Sequence, residues 1–235
     1  MQNLVDAFST AIQLLVTLDS DLMEIVTLSL EVSLSAVLLA ALVGLPVGAA
    51  IAVSQFPGRS ALVAVLNAMM GLPPVVVGLG VYLVLSRSGP MGFLGWLFTP
   101  QAMVIAQFLL IAPLIAALSR QAIEDLWEEY RELLQSLDVG RWATVQTLLW
   151  DARHRLLTTL LAGYGRAIAE VGAVIIVGGN IAHVTRVMTT AIALETSKGD
   201  IALALGLGIV LLIISLFING AAAISSHASQ RAQTS

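Results

Sequence analysis

Apolar residues run along this chain in long blocks, separated by short joints that carry charge, glycine or proline. A helix crosses the hydrocarbon core of a bilayer in about 20 residues. Five blocks reach or approach that length, at about 25–53, 61–85, 102–118, 156–177 and 201–224, the third being short. Ahead of them, the segment 1–22 places Leu4, Phe8, Ile12 and Leu15 at near-helical spacing. That pattern predicts an amphipathic helix lying on the membrane surface. The one long polar stretch, 119–155, reads as two short helices between the third and fourth blocks. A mildly polar connection covers 178–200, and 227–235 is a polar tail. The pattern as a whole predicts an all-α membrane protein with about five spans.

Two blocks contain residues that disturb a helix. The second holds Gly71-Leu72-Pro73-Pro74. Each proline removes a backbone donor and crowds the preceding turn, so the helix must kink or break there. Broken backbone survives in lipid only where protein buries it or where it lines a cavity. The fourth holds Gly163, Gly165, Gly172, Gly178 and Gly179, which allow neighbouring backbones to come close.

Composition makes lipid the solvent. Apolar residues are 58% of the 235 and charged residues 11%, with a mean hydropathy of +0.93. A soluble domain carries roughly a quarter charged residues. Cysteine is absent and the net charge is −4. These values argue against a disulfide scaffold, a thiolate metal site and nucleic acid as a partner. Positive charge then orients the spans. With the N-terminus outside, the cytoplasmic segments hold Arg59, Arg120, Arg131, Arg141, Arg153, Arg155 and Arg231. The outer ones hold Arg87, Arg186 and Lys198. The expected topology has the N-terminus outside, and 119–155 and the C-terminus in the cytoplasm.

Arg166 and Glu170 lie inside the fourth block, four residues apart, and so on one face of a continuous helix. An Arg at the bilayer centre costs about 2.5–3.5 kcal/mol on the insertion scale. The two either pair to fix helix packing or border a solute path. In 119–155, Glu124, Asp125, Glu128, Glu129 and Glu132 form an acidic cluster. Leu133, Leu134, Leu137 and Val139 follow, interleaved with polar residues, with Gly140 as a stop. An amphipathic element with acidic ends just below a membrane suits a groove on another protein. Catalytic sets are missing, with no phosphate-binding glycine loop, and His154, His183 and His227 stand far apart in sequence, suggesting no metal site.

The run Glu132-Leu133-Leu134-Gln135-Ser136-Leu137-Asp138-Val139-Gly140 resembles the EAA loop of binding-protein-dependent ABC importer permeases. Leu133 and Leu134 stand for the family's small pair, Asp138 for its glycine, and Trp150-Asp151 for its Leu-Pro. The stretches 66–107 and 163–208 are similar to permeases of tungstate importers, relatives of the molybdate and sulfate permeases. The resemblance implies a type I importer. In it two permease copies work with two ATPase subunits, which bind ATP and Mg, and an extracytoplasmic oxyanion-binding protein. It also implies that Glu132, Leu133, Leu134, Leu137, Asp138 and Gly140 couple to the ATPase. Pro73, Pro74, Arg166, Glu170, Asn180, Thr189 and Thr190 become candidates for the path or gate, and this chain itself needs no cofactor. Molybdate, sulfate or another solute on the same architecture stays open. So does an ATP-independent carrier or channel.

Overall fold

The computed structural model of the chain describes residues 8–10, 12, 13 and 16–233, with side chains to 220. Every described regular element is a helix. In chain order they are α1 (Ser20–Val53), α2 (Arg59–Met69), α3 (Pro74–Leu85), a 3-10 turn (Gly92–Leu94), α4 (Pro100–Ser136) and α5 (Arg141–Asp151). Then come α6 (Arg153–Ile168), α7 (Gly172–Gly178), α8 (Met188–Lys198) and α9 (Ile201–Gln233). Among the described residues three helices are long and apolar enough to cross a membrane, and up to five spans result if α2 with α3, and α6 with α7, each count as one. The expected N-terminal surface helix is helical where described, with Phe8 and Ile12 exposed. Leu4 and Leu15 lie outside the described residues.

The helix ends follow local chemistry. α1 starts ahead of its apolar block because Asp19 Oδ1 accepts the backbone N–H groups of Asp21 (3.1 Å) and Leu22 (3.2 Å), which have no partner within the helix. The second block breaks as expected. α2 stops at Met69, and Pro73, extended at φ −64° and ψ 121°, precedes Pro74 in the first turn of α3. A residue before proline is pushed out of the helical region, and proline is tolerated in a first turn.

Four expectations need correction. The helix of the third apolar block runs past 118: α4 continues to Ser136, since no glycine or proline interrupts it after Pro113. The stretch 119–155 is therefore the end of one 37-residue helix, a tight turn and α5, rather than two short helices. The turn's left-handed residue is Asp138 at φ 51°, and Gly140 is the N-cap of the following helix rather than a stop. The fourth block is not one helix either. α6 ends at Ile168 and α7 starts at Gly172, so Glu170 lies in a break and shares no continuous helix face with Arg166. Finally, 178–200 is not merely a polar connection. It contains α8, whose Met188, Thr189, Thr190, Ala191 and Glu195 are buried.

The chain divides into two compact units. The first gathers residues to Ala36, Pro73–Gln107 and Arg166–Phe217; the second gathers Val37–Leu72, Phe108–Gly165 and the chain from Ile218. In the first, α3 and α7 pack backbone to backbone. A Cβ on Gly78 would stand 2.7 Å from Ala173 Cα, and one on Gly172 2.9 Å from Val75 Cγ2. In the second, α1 and α4 come equally close. A Cβ on Gly44 would lie 3.1 Å from Ala112 O, and one on Gly48 would overlap Ser119 Oγ and Ala116 O. Ala49, Ala52, Ile123, Leu126, Val145 and Leu148 build the core beside that contact.

Candidate translocation and coupling sites

The first unit holds all seven path candidates. Pro73-Pro74 opens α3, and the break 169–171 precedes α7. The Val75–Gly172 contact sets these two interruptions side by side. The break's backbone is satisfied by side chains. Gln107 Nε2 donates to Ala167 O at 3.1 Å, Thr189 Oγ1 donates to Glu170 O at 2.8 Å, and Glu170 Oε1 accepts the Ala173 N–H at 3.2 Å. Arg166 Nη1 stands 3.8 Å from Glu170 Oε2, a loose contact. The two side chains differ sharply in exposure, Arg166 at 43% and Glu170 at 6%. Glu170 is therefore an inward cap on the break, and Arg166 is a cation turned outward from the unit.

Asn180, Thr189 and Thr190 are turned inward here. Thr190 Oγ1 lies 2.9 Å from Asn180 Oδ1 and 3.1 Å from Val187 O, and accepts the Val187 N–H at 3.2 Å. Asn180 Nδ2 donates to Thr190 O at 3.3 Å. Thr185 Oγ1 donates to Gly178 O at 2.6 Å, and Ser29 Oγ accepts the Met188 N–H at 2.7 Å. This network ties the irregular segment 179–187 to α1, α7 and α8.

Sequence reasoning missed Gln107 and Glu195. A lone amide inside the apolar run of α4 was a legible signal for Gln107, whose buried Oε1 finds no protein partner. Glu195 had no such signal. It is 5% exposed, with Lys198 Nζ at 2.9 Å and Arg186 Nη1 at 3.9 Å from Oε1. Folding also brings His183 to Glu24, with Nδ1 2.8 Å from Oε2. That hydrogen bond, with the carboxylate's charge, raises the His183 pKa above 6.5, against the opposing charge of Arg186. Asp21 joins them, the three ligand-type atoms lying within 4.8 Å of one another. His183 is thus not isolated from acidic groups, as its sequence position suggested.

The second unit holds the six coupling candidates. Glu124 is clamped by Arg59 (2.5 Å) and by Arg120, and Asp125 by Arg155 at 2.9 Å. The acidic cluster is thereby split: two members are paired, while Glu132 lines an open cleft of about 900 Å³ with Arg59, Trp127, Glu128, Arg131 and Gln135. Leu134 packs against the core, whereas Leu133 and Leu137 are 59% and 65% exposed. At the turn, Asp138 N–H donates to Gln135 O (3.1 Å) and Val139 N–H to Leu134 O (3.2 Å). These bonds close the end of α4 and hold Leu137 outward.

Residues 44–229 match the model of the binding-protein-dependent transport system inner membrane component. The chain belongs to that family, and it is a multi-pass membrane protein of its type I permease fold. The tungstate uptake system permease TupB of Peptoclostridium acidaminophilum is 40% identical over 93% of this chain and 96% of its own length. A probable anion ABC transporter permease of Haloferax volcanii is 43% identical over 84% of this chain and 88% of its own. The molybdenum transport permease ModB of Escherichia coli is more distant, 31% identical over 74% of this chain and 81% of its own.

Proposed function

We propose that this chain is the permease subunit of an ATP-driven importer for a tetrahedral oxyanion, tungstate in the first instance. The carrying observation is the pair of chain breaks set side by side in the first unit, with exposed Pro73 at one and outward Arg166 at the other. Neither open backbone nor guanidinium is tolerated against hydrocarbon, so this surface belongs to a watered path or to a second copy of the chain. A bare dianion faces a desolvation cost on the order of tens of kcal/mol in a low dielectric. A hydrated path bordered by one cation lowers that cost without holding the anion tightly. The printed names of two relatives, a tungstate and an anion permease, support the choice of solute. The molybdenum permease supports molybdate as a second reading.

Energy comes from partner ATPase subunits that bind ATP and Mg, docked on Glu132, the turn 137–140 and exposed Leu133 and Leu137. An extracytoplasmic binding protein delivers the anion. The N-terminus lies outside and 119–155 in the cytoplasm, as the distribution of arginine favours. The test is uptake of labelled tungstate by proteoliposomes holding permease, ATPase and binding protein. ATP-dependent uptake that excess tungstate abolishes and excess sulfate leaves intact is expected. Uptake without ATP would overturn the reading, and stronger competition by molybdate than by tungstate would reassign the solute.

A further inference from the structure

The start of α1 and the segment 179–187 meet through side chains that neither the path nor the coupling surface uses. Asp21 and Glu24, three residues apart, share one face of α1. His183 comes from 159 positions beyond Glu24 and sets Nδ1 2.8 Å from its Oε2. A carboxylate oxygen of Asp21, one of Glu24 and a ring nitrogen of His183 all lie within 4.8 Å of one another. The imidazole is held from behind. Ile181 O accepts the N–H groups of Val184 (3.2 Å), Thr185 (3.0 Å) and Arg186 (3.1 Å). Thr185 Oγ1 in turn accepts the Ile181 N–H at 3.0 Å. His183 thus sits on a closed turn, which presents its ring to α1.

The three side chains line a hollow of about 70 Å³ walled by Ile25, Leu28 and Leu203. That exceeds the roughly 15 Å³ that one water requires. Arg186 lines it too. Its charge is drawn toward Glu195, with Nη1 3.9 Å from Oε1, and the two carboxylates outweigh it. Its buried Nε finds no hydrogen-bond partner among the described residues. An orphaned donor beside a hollow marks a place for water or an ion. We propose that Asp21, Glu24 and His183 bind a zinc ion that ties α1 to the segment 179–187, with water at the fourth position. Zinc bonds nitrogen at about 2.0–2.1 Å and carboxylate oxygen at about 2.0–2.2 Å in a tetrahedron, whose ligand atoms then stand about 3.4 Å apart. The 2.8 Å contact of His183 with Glu24 opens by about 0.6 Å to admit the ion. Both side chains are exposed and make that change by rotation. A mixed nitrogen and oxygen set suits zinc better than magnesium or calcium, which take oxygen. The two carboxylates balance the charge of the ion. The site does not depend on which solute the permease carries.

The test uses the full chain, purified in detergent without an affinity tag and stripped with a chelator. Calorimetric titration with zinc chloride should show a single saturable site. His183→Gln should weaken it at least about tenfold, the lower end of what even an outer partner of a metal contributes. Asp21→Asn should do the same, although Asp21 has no part in a simple His183–Glu24 hydrogen bond. Replacing His154 and His227 by Gln should leave the affinity unchanged. Zinc should raise the unfolding temperature of the unaltered chain but not that of His183→Gln. The three ligands are exposed, so the metal-free variants should match the unaltered chain in circular dichroism. No saturable binding would overturn the proposal, as would an affinity unchanged by His183→Gln or by Asp21→Asn. Calcium or magnesium binding as tight as zinc would overturn it too, reducing the set to an acidic surface.

Discussion

The two units handle charge in opposite ways. In the first, polar groups turn inward and are consumed by backbone: Glu170 caps α7, Thr189 and Gln107 hold the carbonyls of a broken helix, and Thr190 and Asn180 satisfy each other. In the second, apart from buried Arg120, the charged groups pair with one another or face outward. Arg59, Arg120 and Glu124 cluster, Arg155 meets Asp125, and Glu132, Leu133 and Leu137 remain exposed. The contrast has a physical cause. Irregular backbone within a membrane must find its hydrogen bonds inside the protein, whereas an element beyond the bilayer can leave groups for water or a partner. One unit is built around its breaks, and the other presents a surface.

The largest test of that contrast concerns close packing, which both units share. Gly48→Leu in the second unit should lower stability by about 3 kcal/mol or more, because the neighbours at its Cβ are backbone and a buried serine. Gly78→Leu should do the same in the first, where Ala173 Cα is the obstacle. Gly80→Ala meets nothing within 4 Å and serves as the control. Thermal unfolding in detergent reads all three, and a mild Gly48→Leu would mean that the α1–α4 contact is loose.

Next comes the asymmetry of Arg166 and Glu170. Both charges lie inside the fourth apolar block, but Glu170 alone of the two is deeply buried. Arg166→Gln should therefore cost about 2 kcal/mol by leaving a buried carboxylate without its cation. Glu170→Gln should cost less, since an amide oxygen still accepts the Ala173 N–H. If the double replacement recovers folding yield but not anion uptake, Arg166 acts on the solute. Recovery of both would reduce the pair to packing and move the gate to Pro73-Pro74.

Glu132→Lys probes the presented surface. Folding should be unchanged, while ATPase association weakens about tenfold, equivalent to about 1.4 kcal/mol. Association equal to wild type would separate Glu132 from docking. The smallest effect is at His183. Its pKa is raised, so the contact with Glu24 is fully present below pH 6.5 and lost as pH rises through the elevated value. Glu24→Gln should lower the His183 titration midpoint followed by NMR, and an unchanged midpoint would remove the link between α1 and the 179–187 segment.

Much of the fold was legible because its signals are local. Blocks of about 20 apolar residues announce spans in any context, and Pro73-Pro74 broke its helix where backbone sterics required. Asp138 shows how a local departure is absorbed. It stands where the family resemblance expects glycine, and its φ of 51° explains that expectation, since aspartate is among the few residues that tolerate the left-handed region.

The sequence by itself determined the solvent, the helical class, the family and the Pro73-Pro74 interruption, because hydropathy and proline act over a few residues. Only the tertiary structure decided where Glu170 points, that α4 runs unbroken through the membrane-proximal stretch, and that Glu195 is buried between two cations. It also set the interruptions beside each other through Val75 and Gly172, residues 97 positions apart in the chain. Burial and pairing depend on what packs against a residue, and neighbours that distant leave no periodicity in a single sequence.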